Sequence, residues 1–528
     1  MTPRALAAAA AGVLALTIGY AGLHWGALVA GGSDSYGYVS QAEMWRRGSL
    51  VVHQDVVRPT PWPFAAETWT PLGYRPSPHA RDGYVPMYAP GLPLLMAAAQ
   101  TIGGFCAAFT VVPLCGALTI WLTFVLGRRI FDPPAIALGG AVLVAVSPVF
   151  LYQLMNAMSD VPVTAFWTLA LVLATGRRPL ASGLAMAIAI AIRPNLAPLA
   201  AVIAIWMWRT IADPTARRRA LLWFAAGIAP AVAGILWMNG VLYESPLVSG
   251  YGTSGDLYAL GWFGANVANF TAWLADVETP VVALAALYVA LPRAFPPPRL
   301  PSARLLLGGT MAAMLLSYLF YQPFDVWWYL RFLLPMWPVM MLATVAVLDG
   351  IVAQRGAWTR TIVPAAIVLA LAWHHLQLAR SRHTFELGRS ERKYVDVARY
   401  VASHTEPGAV VLSHQHSGSL RLYGGRLTLR YDILDPEWLD RALAALQSVG
   451  RRPYLVLDGN EVEAFRRRFA GVSAAGALDW TPLASLNGIV NLYDPLNRAT
   501  AGSPVAISPT RGSRGWLACE NDTTAGQP

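Results

Sequence analysis

Charge is what this chain has least of. Asp, Glu, Lys and Arg make up 13% of its 528 residues and hydrophobic residues 55%, with a mean hydropathy of +0.45. A soluble protein of this length carries roughly a quarter of its residues charged, so the composition excludes a chain that faces water all round. Lysine is almost missing, Lys393 being the only one. With heavy use of alanine, this is the composition of a bacterium with a GC-rich genome. Cysteine is scarce too. Cys106 and Cys115 lie in an apolar block and Cys519 in a polar tail, and no pair has the spacing of a metal site or a disulfide framework. His53, His79 and the pair His374/His375 lack ligand spacing as well. No internal repeat is visible, which argues against the matching halves common in transporters.

What is present comes in blocks. Runs of about 15 to 25 uncharged residues alternate with short arginine-bearing loops, the signature of helices that cross a bilayer. The net charge of +10 and pI near 9.6 would point a soluble protein towards nucleic acid. Position decides against that partner. Arg4, Arg128, Arg129, Arg177, Arg178, Arg217 to Arg219, Arg293, Arg299, Arg355 and Arg360 sit in short loops with few acids, chiefly Asp132, Asp213 and Asp349. Such loops stay in the cytoplasm, so the basic balance reports topology.

Residues 5–30 read as a retained first helix, with the N-terminus in the cytoplasm. Residues 31–86 form an outer loop rich in Pro, Trp, Tyr and Arg, expected to carry interfacial helices. A helix over 103–126 follows, preceded by an interfacial or re-entrant stretch, and then blocks at 133–150, 161–175, 180–192, 194–208, 220–241, 279–291, 304–321, 332–348 and 361–378. Taking Pro194 as a turn places every arginine-rich loop on one side and gives about eleven crossings. The fold class is therefore a polytopic α-helical membrane protein, residues 1–379, with a soluble α/β domain at 380–497 outside the cytoplasm and a disordered tail at 498–528. In the α/β part, 391–404 and 460–469 read as helices and 409–412, 453–457 and 489–493 as strands, largely parallel, with Asp435 capping a helix that has Pro436 at its first position.

This topology gathers ionisable residues on the outer face, where each costs several kcal/mol unless paired or solvated and is a functional candidate by default. They are Asp34 in GGSDSYGYVSQAEMWRRG, Asp160 in LYQLMNAMSDVP, Arg193 in AIRPN and Arg331 in WWYLRFLLPMWP, with Tyr36, Tyr243 and Tyr251 as loop residues for a substrate. An Asp after the first helix, another before the fourth, an Arg-Pro after the fifth and a late R-x-L-L-P-x-x-P resemble the GT-C superfamily of glycosyltransferases. Within it, the branch of glycosyltransferase family 39 and the aminoarabinose transferases looks most similar, and YAPGLPLLMAA resembles the proline-rich segment after its first outer loop. The resemblance covers roughly residues 5–378. It implies transfer of a sugar from a polyprenyl-phosphate carrier to a glycan, lipid or protein acceptor on the outer face of the bacterial cytoplasmic membrane. The family often pairs two acids at the first site, whereas Asp34 stands alone between Ser33 and Ser35, so no metal ligand is assigned and a divalent metal stays an open option.

The residue types suit that chemistry on their own. A hydroxyl attacking an anomeric carbon needs a base, and a desolvated carboxylate serves. The phosphate is already a good leaving group whose charge arginine's planar fork can hold. Asp34 is the expected base, Asp160 a second acid that also stands where a helix cap would, and Arg331 and Arg193 the phosphate ligands. His414 and His416, after a strand, are a weaker pair of candidates. Two other classes compete: a lipid or solute transporter, and an envelope-assembly protein whose working part is the soluble domain.

Overall fold

The computed structural model describes residues 2–498, 502–509 and 519. It is mostly helical, at 64%. Five helices are long and apolar enough to cross a membrane singly: Pro3–Trp25, Phe105–Ile130, Pro214–Leu242, Trp327–Ile351 and Trp358–Ser381. Two pairs reach that length only together: Pro134–Val146 with Pro148–Leu154, bent by 59°, and Leu260–Val277 with Pro280–Ala290, bent by 119°. Four shorter apolar helices join them: Gly91–Gly103, Asp160–Thr175, Pro179–Ile192 and Ala303–Leu319.

The breaks depart from the uninterrupted blocks expected from hydropathy. The block at 133–150 is two helices, because Pro148 cannot extend the first and Ser147 caps the second by accepting from the Phe150 amide at 3.2 Å. The block at 279–291 is only the second limb of a sharply bent pair, with Thr279 at φ 66° in the corner. At Pro194 the expected break is present as a short 3-10 turn, Pro194–Leu196.

The arginine-bearing loops gather at one end of the bundle. Arg128 lies within electrostatic reach of Arg4 and Arg299, Arg129 of Arg178, and the Arg299 amide donates to the Ile130 carbonyl at 2.8 Å. At the other end the Ala27 amide donates to the Met155 carbonyl at 2.7 Å, joining the exit of the first helix to the loop before Asp160.

The first loop contains the helix Asp34–Arg47, whose residues Ser35 to Ala42 are all buried against the rest of the protein. It is followed by a small antiparallel sheet of β1 (Val52–His53), β3 (Gly83–Pro86) and β2 (Tyr74–Pro76), in that spatial order.

The C-terminal layer is a six-stranded sheet in the order β5 (Leu427–Leu429), β4 (Val410–Leu412), β6 (Pro453–Asp458), β8 (Val490–Tyr493), β7 (Ala484–Leu486) and β9 (Val505–Ala506). Pairing is mixed, not largely parallel: β4 runs parallel to β5 and β6, while β8 is antiparallel to both β6 and β7. Helix Lys393–His404 buries Val395, Ala398 and Val401, the face its sequence pattern predicts. Strand alternation sends Val411, Tyr454 and Val456 to the core shared with the bundle, and Val410, Leu412, Leu455 and Leu457 to a second core shared with Val57, Trp62 and Trp69 of the first loop. The sheet is thus clamped on both faces. Buried Arg421 ties it to that loop, donating to the Gln54 side chain at 2.7 Å and to the Trp69 carbonyl at 2.6 Å.

Two expectations about the tail and the cysteines change. Within 498–528, residues 502–509 supply β9, paired to β7, so disorder does not hold there. The remaining stretches, 499–501, 510–518 and 520–528, lie outside the described residues. Cys106 and Cys519 form a disulfide across 413 residues of sequence. No spacing rule could reveal it, because only the return of the chain to the bundle brings the two together.

Candidate active site

Asp34 and Asp160 share a local logic. Each is the first residue of a helix, Asp34–Arg47 and Asp160–Thr175, where the helix dipole favours a negative charge. The expectation that Asp160 caps its helix is not met. Its carboxylate turns to Arg193 instead, accepting from Nη2 at 2.5 Å. Arg193 ends helix Pro179–Ile192 with extended φ and ψ of −144° and 89°, as a residue before proline does. Close packing sets its position. A Cβ on Gly91 would come within 2.3 Å of the Ile192 amide, so only glycine lets the Gly91–Gly103 helix meet the chain just before Arg193.

Arg331, on the 3-10 stretch Trp327–Met336, joins the two acids. Its Nη1 donates to Asp34 Oδ2 at 3.1 Å and stands 4.0 Å from Asp160 Oδ2. The four charged groups, from parts of the chain up to 297 residues apart, therefore form one neutral nest of two carboxylates and two guanidinium groups. Burial differs within it. The Asp34 side chain is 30% exposed and that of Asp160 1%, so Asp34 meets the open space and Asp160 lies beneath it. Arg193 Nη1, Arg331 Nε and Asp160 Oδ2 are buried with no hydrogen-bond partner.

The nest lines a cavity of about 430 Å³ bounded by Asp34, Tyr88, Arg193, Asn195, Tyr251 and Arg331, among others. Tyr243 and Tyr251 line it as expected of the loop tyrosines; Tyr243 also donates to the Pro86 carbonyl at 2.8 Å. Tyr36 does not. Its ring is buried against Gly418 of the α/β layer and beside Tyr74, whereas Tyr38 lines the cavity. The sequence reading missed Tyr88, whose hydroxyl donates to Asp34 Oδ1 at 2.7 Å and lies 2.9 Å from Ser33 Oγ. The signal was present in MYAPGLP and in Gly37: a Cβ there would lie 2.1 Å from the Tyr88 ring, so glycine makes the seat for it.

His414 and His416 are not part of this nest. His416 is fully buried, with Nε2 2.9 Å from Asp458 Oδ1, and Lys393 Nζ donates to the other oxygen of Asp458 at 2.7 Å. These contacts hold the Asp458 carboxyl below the usual carboxylate range against its burial and lock the loop after β4 in place. A resident divalent cation does not fit the acids of the nest. Arg331 occupies the position between the two carboxylates, and among the described residues no three His, Cys, Asp or Glu side chains gather as metal ligands.

The apolar helices are of the number and length of a multi-pass membrane protein, and the fold is that of solved membrane glycosyltransferases. The structure is similar to the oligosaccharyltransferase of Archaeoglobus fulgidus tethered to an acceptor peptide containing the NVT sequon, with a TM-score of 0.58 at 13% identity over 93% of this chain and 74% of that one. It is also similar to ArnT from Cupriavidus metallidurans bound to undecaprenyl phosphate, with a TM-score of 0.55 at 12% identity over 93% of this chain and 98% of that one. ArnT is an aminoarabinose transferase, and both proteins are GT-C glycosyltransferases. No family profile matches the chain, and no curated protein is similar to it in sequence.

Proposed function

We propose that this protein is a glycosyltransferase that moves a sugar from a polyprenyl-phosphate carrier to an acceptor on the outer face of the bacterial cytoplasmic membrane, with inversion. The observation that carries the reading is the nest itself, in which a part-exposed carboxylate and two arginines with unused buried donors meet one cavity. Asp34 is the base that takes the proton of the acceptor hydroxyl. Arg331 and Arg193 hold the phosphate, whose oxygens supply acceptors for Arg331 Nε and Arg193 Nη1. Asp160 keeps both guanidinium groups oriented. Tyr38, Tyr243 and Tyr251 shape the space for sugar and acceptor. The ligand named for ArnT, undecaprenyl phosphate, is of the carrier class proposed here. On the same reading residues 380–497 lie outside the cytoplasm, packed on the first outer loop rather than on the cavity wall.

The test is sugar transfer by purified protein from a labelled polyprenyl-phosphate sugar, with Asp34→Asn compared at matched protein levels. Asparagine keeps the shape but cannot accept the proton, and base catalysis is worth about 10²–10⁴-fold, so transfer should fall by that factor while the lipid donor still binds. Near-normal transfer by the variant removes Asp34 as base.

A further inference from the structure

Resting on that reading, we infer that Arg331 changes partner during the reaction: it pairs with Asp34 before donor chemistry and with the leaving phosphate afterwards, while Tyr88 holds Asp34 in place throughout. The geometry sets this apart from a fixed phosphate ligand. Arg331 Nη1 is committed to Asp34 Oδ2 at 3.1 Å, and Asp160 Oδ2 waits 4.0 Å from the same nitrogen with no hydrogen bond of its own. Arg193 has no such freedom, being 2.5 Å from Asp160 Oδ1. Asp34 keeps a second, uncharged partner in the Tyr88 hydroxyl, on Oδ1 at 2.7 Å. Loss of Arg331 therefore frees one oxygen of Asp34 without releasing the side chain.

Charge balance gives the exchange its direction. The acceptor oxygen bonds to the anomeric carbon, and the bond from that carbon to the phosphate oxygen breaks, leaving its electron pair on the phosphate. The acceptor's proton passes to Asp34. One negative charge thus disappears at Asp34 as the phosphate goes from a singly charged diester to a monoester carrying close to two charges. The cation that Asp34 no longer needs is the one the phosphate requires, and Arg331 stands between them.

The experiment measures binding of a short-chain polyprenyl monophosphate to the purified full-length protein and to Asp34→Asn, Arg331→Gln and the double variant. Asparagine imitates the protonated base and holds Arg331 only through a neutral acceptor, so the phosphate can take that arginine, and Asp34→Asn should bind the monophosphate about tenfold or more tighter than wild type, the worth of one hydrogen bond to a charged group. In the Arg331→Gln background the same substitution should bring no gain. A gain that persists there is only the removal of a repelling charge and overturns the exchange while leaving the function intact. No gain in Asp34→Asn alone also overturns it. Failure of wild type to bind the lipid brings down the functional reading and the exchange with it. For Tyr88, Tyr88→Phe should lower kcat by roughly tenfold, the loss of one such hydrogen bond, with donor KM unchanged. Unchanged kcat, or an equal loss in donor affinity, removes Tyr88 from the positioning role.

Discussion

The two ends of the helical bundle use arginine in opposite ways. At one end Arg4, Arg177, Arg178, Arg209, Arg218 and Arg219 are exposed, and Arg128 sits within reach of two other cations. At the other, Arg193 and Arg331 are 11% and 15% exposed and are bound to carboxylates. The first end is what hydropathy rules read as orientation: charge that water solvates and the membrane will not pass. The second end spends burial on cations, which is tolerable only because acids face them. In this protein an arginine's burial and partner, and not its charge, separate topology from chemistry.

That contrast can be broken most forcefully at Asp160. Asp160→Ala strands Arg193 as a buried cation without its anion, and losing one partner of a buried pair costs about 3–5 kcal/mol. Thermal denaturation in detergent should show a large fall in Tm, with Asp160→Asn falling less because it still accepts from Arg193. Equal Tm values for Asp160→Ala and wild type would mean that the pair does not hold this end together.

The disulfide sharpens the contrast by asking which end faces an oxidising compartment. Cys106–Cys519 sits just before the helix that runs from the site end to Arg128, so it should form only if the site end lies outside the cytoplasm. Thiol labelling of protein from intact cells should find only Cys115 after reduction is omitted. Cys106→Ser should lower stability by about 2–4 kcal/mol. Free Cys106 and Cys519 in membranes would reverse the assigned sides.

A smaller effect is expected at Glu391, at the entry to the α/β layer. Burial pushes its carboxyl up to about 7 from an ordinary 4.5, with Lys393 opposing the shift. The folded protein therefore holds this proton more tightly than the unfolded chain. Its contribution to stability is full below about pH 4.5 and is lost as pH rises to about 7. Glu391→Gln should flatten that part of the stability–pH curve, and an unaltered slope would place its source elsewhere. The smallest effect belongs to the exposed end: Arg218→Gln should change stability by no more than about 0.5 kcal/mol and leave transfer intact. A loss of transfer there comparable to that of Asp34→Asn would erase the distinction between the two ends.

Much of this was legible in the chain itself. Apolar blocks and arginine loops gave the membrane class, because crossing a bilayer requires a length of apolar helix that shows in composition alone. Asp34, Asp160, Arg193 and Arg331 stood out one by one, since an ionisable residue beside an apolar block is costly wherever it lands. The helices at 391–404 and 460–469, the one capped by Asp435, and strands β4, β6 and β8 of the C-terminal layer were legible from periodicity, capping and apolar runs, whereas the four-residue helix Ser419–Leu422 and the strands β5, β7 and β9 carry no such signal. The two- to four-residue strands of the first-loop sheet carry no pattern either, and sequence does not say which turn of a buried helix faces a cavity, so the expectation falls on Tyr36 where the structure has Tyr38.

What the sequence determined by itself, then, is the solvent each segment can tolerate and the four residues whose charge needs an explanation. Only the tertiary structure decided who pairs with whom. Arg331 reaching Asp34 across 297 residues, Tyr88 seated on Gly37 and Cys106 meeting Cys519 are all consequences of how helices and loops pack at one end of the bundle. Pairing depends on distances of a few ångströms between groups far apart along the chain. Hydropathy and local spacing report the energy of each residue with its solvent, and they carry no information about such distances.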